Sequence, residues 1–197
     1  MSDDVELITR CLDGDIDSFN RLVQRWEKRV YNFILSQIGN QEEAWDLCQK
    51  TFIQAYKDLE RLRDPNRFSA WIYQIAMNRC KDLYRSRKRR PTQSLDGLED
   101  LPEETVQGWF VSQPDSPEDM AHNRDLQDIL LKALQDIPPE QRIVVVMKEY
   151  QGLKFSEIAE ALEVPLNTVK SRMYYGLNAL RQVFERWNID AETVYEY

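Results

Sequence analysis

With one histidine in 197 residues, and that one (His122) in a polar stretch, the chain has little from which to build a His-based catalytic centre or a zinc site. Its three cysteines, Cys11, Cys48 and Cys80, are widely spaced and each sits inside a helical pattern. They read as buried thiols of a reducing compartment, with neither disulfide nor metal expected. No hydrophobic run approaches the ~20 residues of a membrane span, and no basic-plus-apolar leader opens the chain. The expected location is therefore the cytoplasm, with no direct membrane insertion. Internal repeats and strand patterns are lacking too, and neither a cluster of carboxylates nor a nucleophile with a base lies beside the basic tract described below, so no small-molecule substrate or cofactor is expected.

An excess of positive charge is also missing. The net charge is −8, from 34 acidic and 26 basic residues. Its distribution matters more than its total. Residues 91–123 hold Asp96, Glu99, Asp100, Glu103, Glu104, Asp115, Glu118 and Asp119, with no Lys or Arg. Outside that segment the charges balance, and the bases are clustered. Pro, Ser, Asp, Glu and Gly dominate 91–123 and the helical period vanishes, so the segment reads as a flexible acidic linker. Trp109-Phe110-Val111 is an apolar island within it. The expected organisation is all-α: a helical domain over 1–90, the linker 91–123, a second helical domain over 124–187, and a tail 188–197 that either docks a partner or is disordered.

Within the first domain, 3–12 form a short helix closed near Gly14. Phe19, Leu22, Val23, Trp26, Val30, Phe33 and Ile34 make a 3.6-residue stripe that stops at Gly39-Asn40. Residues 41–60 repeat the period with Ala44, Leu47, Cys48, Phe52, Ala55, Tyr56 and Leu59. The next helix runs from about Phe68 to Arg90. Its inward stripe is Phe68, Trp71, Ile72, Ile75, Ala76, Cys80 and Leu83, while Asn78, Lys81, Arg85 and Lys88 recur on the far side. From Arg79 to Arg90 there are seven bases and one acid, Asp82. Such density repels itself unless a polyanion neutralises it. Arg61, Arg63, Asn66 and Arg67 precede it in a loop beside Phe68 and Trp71, and cations next to aromatics suit single-stranded nucleic acid. Core packing of both aromatics is the competing reading. Arg79 falls inside the apolar stripe, and its spacing assigns it no role.

In the second domain, Leu126, Ile129, Leu130, Ala133 and Leu134 restore the helical period, which breaks at Pro138-Pro139 and continues through Ile143–Met147. Residues 154–181 then read as a helix-turn-helix. Ile158, Ala159 and Leu162 form one stripe, with small Ala159 allowing a close helix crossing, and Glu163-Val164-Pro165 breaks the helix. Val169, Met173, Leu177 and Leu180 resume an inward stripe on a helix starting at Pro165. Thr168, Ser171, Tyr175 and Asn178 share the opposite face, flanked by Lys170 and Arg172. Short polar side chains for base edges and cations for phosphates are what a helix in the major groove needs. An ordinary helical hairpin with a solvated polar face would share the pattern.

Three blocks in order, EEAWDLCQKTFIQAY (42–56), RFSAWIYQIAMNRCKDLYR (67–85) and IPPEQRIVVVMKEYQGLKFSEIAEALEVPLNTVKSRM (137–173), resemble the extracytoplasmic-function (ECF) sigma factors of bacterial RNA polymerase over nearly the whole chain. The resemblance implies a non-catalytic promoter-specificity subunit. Residues on 42–59, with Asp46, Leu47, Gln49, Lys50, Phe52, Ile53 and Tyr56 as candidates, would grip the clamp helices of the largest polymerase subunit, and the flap region would be a further contact. The loop Arg61–Arg67 with Asn66, Phe68, Trp71 and Asn78 would capture a base flipped from the single-stranded −10 element. Lys81, Arg85, Arg87 and Lys88 would hold phosphates. Thr168, Lys170, Ser171, Arg172, Tyr174, Tyr175 and Asn178 would meet duplex DNA at −35, and an anti-sigma factor would be a usual partner. The chain departs from the family at Trp45 and Lys50, where relatives often carry an acid. It departs again at Tyr174–Asn178, where relatives place bases. The latter implies weaker phosphate attraction, and either an unusual −35 preference or heavier reliance on −10. A dimeric helix-turn-helix regulator, pairing through 15–60, is the alternative, and a nucleic-acid enzyme a more distant one.

Overall fold

The computed structural model describes residues 3–89 and 129–189, and every regular element among them is helical. The readings of the acidic segment 91–123, of Trp109-Phe110-Val111, of His122, of Leu126 and of residues 190–197 lie outside the described residues. The chain divides into two compact units, one mainly from residues 1–112 and the other mainly from 113–197. No helix among the described residues is long and apolar enough to cross a membrane.

Helix α1 (Asp3–Leu12) opens on Asp3, Asp4 and Glu6, whose charges oppose the positive end of the helix dipole. Gly14, at φ +98°, takes the left-handed conformation that turns the chain. Asp15 then caps α2 (Ile16–Ile38), accepting from the Ser18 backbone N–H at 3.3 Å and the Ser18 hydroxyl at 2.8 Å. Arg10 pairs with the same carboxylate at 2.7 Å. The Ser18 hydroxyl is the largest of the influences that hold Asp15 below the usual carboxylate range. Further on, Arg25 binds Asp3 at 2.8 Å and Asp4 at 2.7 Å, tying α1 to α2.

The α2 stripe lies buried at every expected position from Phe19 to Ile34. The helix ends at Gly39, φ +73°, whose N–H returns to the Leu35 carbonyl at 2.8 Å. Helix α3 (Gln41–Asp58) buries Ala44, Leu47, Cys48, Thr51, Phe52 and Ala55. Helix α4 (Phe68–Arg89) buries Phe68, Ala70, Ile72, Tyr73, Ala76 and Cys80. The centre of this unit is aromatic. Trp26 stands edge-on to Phe68 at 5.5 Å and Tyr73 at 6.0 Å, and Phe33 meets Tyr73 at 5.0 Å. Such edge contacts add about 0.5–1.5 kcal/mol each beyond area burial. Burial pushes the Cys80 thiol up to about 12 and that of Cys48 up as well, so neither is a nucleophile near neutral pH. Cys11 is only half-buried, unlike its expected burial.

The second unit is aliphatic. Residues 129–135 are helical and bury Ala133 and Leu134; this is α5. Helix α6 (Pro139–Val145) starts with proline in its first turn, where a missing N–H costs nothing. It runs into a π-turn over Val146–Tyr150. Every residue from Ile143 to Met147 is buried, which an apolar run without polar alternation requires. Helix α7 (Phe155–Leu162) begins where Glu157 accepts from the Lys154 backbone N–H at 2.6 Å. Glu163 ends it in the left-handed region at φ 55°. Helix α8 (Leu166–Arg186) follows, with Pro165 at its cap one residue earlier than the helix itself. The Pro165 carbonyl accepts from Thr168 at 2.9 Å.

One expectation about this hairpin is corrected. Leu177 is 47% exposed, and Gly176 takes the inward place in the series Val169, Met173, Gly176, Leu180 and Val183. A Cβ on Gly176 would stand 2.7 Å from Val145 Cγ2 and 3.3 Å from Gln141 Cβ. Gly176 is therefore a small residue that permits a close helix crossing, against α6. Ala159 is half-buried.

Candidate nucleic-acid interface

Between α3 and α4 the chain makes two short turns, Leu59–Arg61 and Pro65–Arg67. Leu59 and Leu62 are buried and pin the loop from below. Asp64 caps its second turn, accepting from the backbone N–H and the side-chain amide of Asn66, each at 3.0 Å. These bonds, the side-chain one first, draw the Asp64 carboxyl below its ordinary range. Arg61, Arg63, Asn66 and Arg67 are all exposed. Arg61 pairs with Asp58 at 2.9 Å, and Arg67 with Asp64 at 3.5 Å.

Asn78, Lys81 and Arg85 line the exposed side of α4, as their spacing predicts, and Arg87, outside that row, is exposed too. Arg85 stands 3.5 Å from Asp82, and Arg87 reaches back to Glu43 on α3. Lys88 lies on α4, but its side chain is outside the described set. An acid thus sits beside four of these loop and helix arginines, Arg61, Arg67, Arg85 and Arg87, so the strip is cationic but held in place.

Three candidates are corrected by burial. Phe68 is 1% exposed, and its ring packs on Trp26 and, at 5.9 Å, on Trp71. Leu47 and Phe52 lie in the α2–α4 core. None of the three can touch a partner while the unit is folded; the competing reading of core packing holds for Phe68. Trp71 is half-buried and keeps part of its ring at the surface. On α3, Asp46 pairs with Lys50 at 2.8 Å, while Gln49, Ile53 and Tyr56 are half-buried, Tyr56 against Phe19 at 5.0 Å. Trp45 is exposed and edge-on to Tyr31 at 5.9 Å.

Sequence reasoning missed two residues here. Tyr73 is nearly fully buried beside Ile72 and completes the aromatic core. Arg79, without a role from spacing, points toward α3, where its Nη2 donates to Gln54 Oε1 at 2.7 Å. Gln54 and Asp58, four residues apart on α3, were the available signal for such a partner.

On α8 the expected groove-facing set is at the surface. Lys170, Ser171, Tyr174, Tyr175 and Asn178 are exposed, and Thr168 and Arg172 half-buried. Tyr174 is 66% and Tyr175 58% exposed, their rings edge-on at 5.5 Å. The Ser171 hydroxyl donates to the Thr168 carbonyl at 3.0 Å, leaving its lone pairs outward as acceptors. Groups of His, Cys, Asp and Glu able to hold a metal are lacking among the described residues.

Residues 22–90 match the family model described as sigma-70 region 2, and residues 127–180 that described as sigma-70, region 4. The chain is 34% identical to the ECF RNA polymerase sigma factor SigW of Bacillus subtilis, across 86% of its own length and 90% of that relative's. It is 30% identical to the ECF RNA polymerase sigma-E factor of Haemophilus influenzae, across 87% and 89%. Among solved structures, CnrH in complex with the cytosolic domain of CnrY aligns with a TM-score of 0.69 at 20% identity, over 94% of this chain and 99% of the other. The sigma factor RpoE in complex with the anti-sigma factor NepR from Bartonella quintana aligns at 0.63 and 22%, over 87% and 97%. These two likenesses speak for the fold.

Proposed function

Since the chain belongs to the ECF sigma factors of the sigma-70 family, we propose a division of labour between its two units. The protein is a sigma factor that directs promoter-specific transcription. In our reading it has no chemistry of its own. It binds core RNA polymerase through the exposed side of α3, with Asp46, Gln49, Lys50, Ile53 and Tyr56 at the contact. Arg61, Arg63, Asn66, Arg67, Trp71 and Asn78 meet the single-stranded −10 element, and Lys81, Arg85, Arg87 and Lys88 hold its phosphates. The α8 face from Thr168 to Asn178 enters the major groove at −35. An anti-sigma factor is the expected regulator, since the Bartonella quintana RpoE that this chain resembles is in complex with one. The protein would work in the cytoplasm, on the nucleoid when active, or be held near the membrane by such a partner.

One observation carries this reading. A loop-and-helix strip of fixed cations stands in one unit, and a polar helix-turn-helix face in the other, in the order of regions 2 and 4. Separated bases offer stacking and phosphates to the first; duplex edges suit the second. The test is reconstitution: pure chain added to core RNA polymerase, with promoter-dependent transcripts and core binding measured. Transcripts that start at discrete sites only when the chain is present are expected. Absence of both core binding and initiation on every template would refute it.

A further inference from the structure

Arg79 lies on α4, yet its guanidinium is half-buried and turned to α3 instead of outward with Lys81 and Arg85. Its Nη2 donates to Gln54 Oε1 at 2.7 Å. An arginine only donates, so it fixes which end of the Gln54 amide faces it. The amide nitrogen must then point the other way, and it donates to Asp58 Oδ2. The second oxygen of that carboxylate, Oδ1, lies 2.9 Å from Arg61 Nη1. Asp58 is the last residue of α3, and Arg61 closes the first turn of the loop. Its side chain is 80% exposed, while that of Asp58 is 21% exposed.

An isolated surface ion pair is worth little and wanders. This one differs because its acceptor is held from behind. The order cation, amide, anion, cation runs from α4 through α3 to the loop, each link polarising the next. We propose that Gln54, Asp58 and Arg79 are a positioning relay that fixes Arg61 at the mouth of the loop, so that the guanidinium meets the unstacked strand in one orientation. The inference rests on the reading that this loop meets the −10 strand. A fixed fork discriminates between bases, whereas a mobile cation is attracted to any phosphate. Removing Asp58 therefore leaves the cation in place and removes its selectivity.

The experiment uses holoenzyme assembled from the full chain and core polymerase, with a single-stranded DNA library randomised over a short central window. Wild-type holoenzyme should enrich one sequence over a scrambled oligonucleotide. Asp58→Asn and Gln54→Glu should each lower that preference at least about fivefold. Gln54→Glu keeps the Arg79 pair but sets a carboxylate against Asp58. Affinity for the scrambled oligonucleotide should hold or rise in Asp58→Asn, its salt slope steepening by up to ~0.7. Arg79→Met should lose selectivity, and Arg79→Lys, which still donates, should restore most of it. The double variant Asp58→Asn/Arg61→Ala should be no less selective than Arg61→Ala alone.

The relay stands only if Asp58→Asn and Gln54→Glu fall together. If either keeps its preference within about twofold of wild type, or if binding weakens uniformly with a lower melting temperature, the relay is wrong. Should Gln54→Glu not fold, near-isosteric Asp58→Asn with the Arg79 pair of variants decides. A wild-type holoenzyme that enriches no sequence overturns the −10 reading itself, and the relay with it.

Discussion

In the N-terminal unit four of the five arginines of the proposed interface stand beside acids, Arg61 with Asp58, Arg67 with Asp64, Arg85 with Asp82 and Arg87 with Glu43. The α8 face of the C-terminal unit instead presents Thr168, Ser171, Tyr174, Tyr175 and Asn178, with Lys170 and Arg172 at its edge. The cores differ as well. Trp26, Phe33, Phe68 and Tyr73 interlock in the first, whereas Val145, Met147, Val169 and Leu180 fill the second around a glycine contact. The contrast teaches that the two units would hold the same polyanion by different forces. Fixed cations act over a Debye length of about 8–10 Å and lose strength with salt. Hydroxyls and amides act only at contact, and salt hardly affects them.

The sharpest way to break the comparison is Phe68→Ala. As a core residue it should cost the N-terminal unit about 3–5 kcal/mol, read from denaturation or hydrogen exchange. A stable variant with selectively lost −10 binding would return Phe68 to the interface. In the other unit, Gly176→Val pushes a branched side chain into Val145 and should destabilise by about 1–3 kcal/mol. Exchange protection should fall in α6–α8 alone, and −35-dependent initiation should fall with it. If protection falls equally in both units, the placing of Gly176 at the α6–α8 contact is wrong.

A smaller pair of effects tests the forces directly. Arg85→Ala should reduce the salt slope of single-strand binding by ~0.7, weaken open-complex formation and make it depend more on negative supercoiling. Tyr175→Phe should weaken −35 duplex binding by about 1 kcal/mol with no change of slope. Equal slopes for the two elements would erase the contrast. The smallest effect concerns Asp64. Its folded carboxyl is depressed, so its stabilisation is present above the unfolded value of about 3.9 and disappears as pH falls through the folded value. NMR titration should give a midpoint below 3.9, rising toward it in Asn66→Ala. An unshifted midpoint in the wild-type chain would remove the cap from the loop's description.

Much of the architecture was legible in the residues. The α2 stripe, the stop at Gly39, the exposed row Asn78–Lys81–Arg85 and the turn at Glu163 each depend on neighbours within a few positions. The errors share one cause. Phe68 and Trp71 have equal claims to a surface by spacing, and Trp26, arriving from α2, packs on the first, which is buried. Leu177 and Gly176 are adjacent on one helix, and a hydrophobicity count favours the leucine. The approach of α6 decides for glycine, because at that crossing a Cβ has no room. Arg79 looked misplaced because its partner lies on another helix.

The sequence by itself determined the all-helical class, where most helices end, and which polar faces point outward, since periodicity, proline and glycine act through local backbone geometry. The ordered blocks it carries also determined the family. Tertiary structure alone decided which aromatic is core, which small residue is the contact, and that Arg79 connects through Gln54 and Asp58 to Arg61. Those outcomes depend on side chains brought together from distant segments, and spacing along one helix holds no information about what a second helix will place against it.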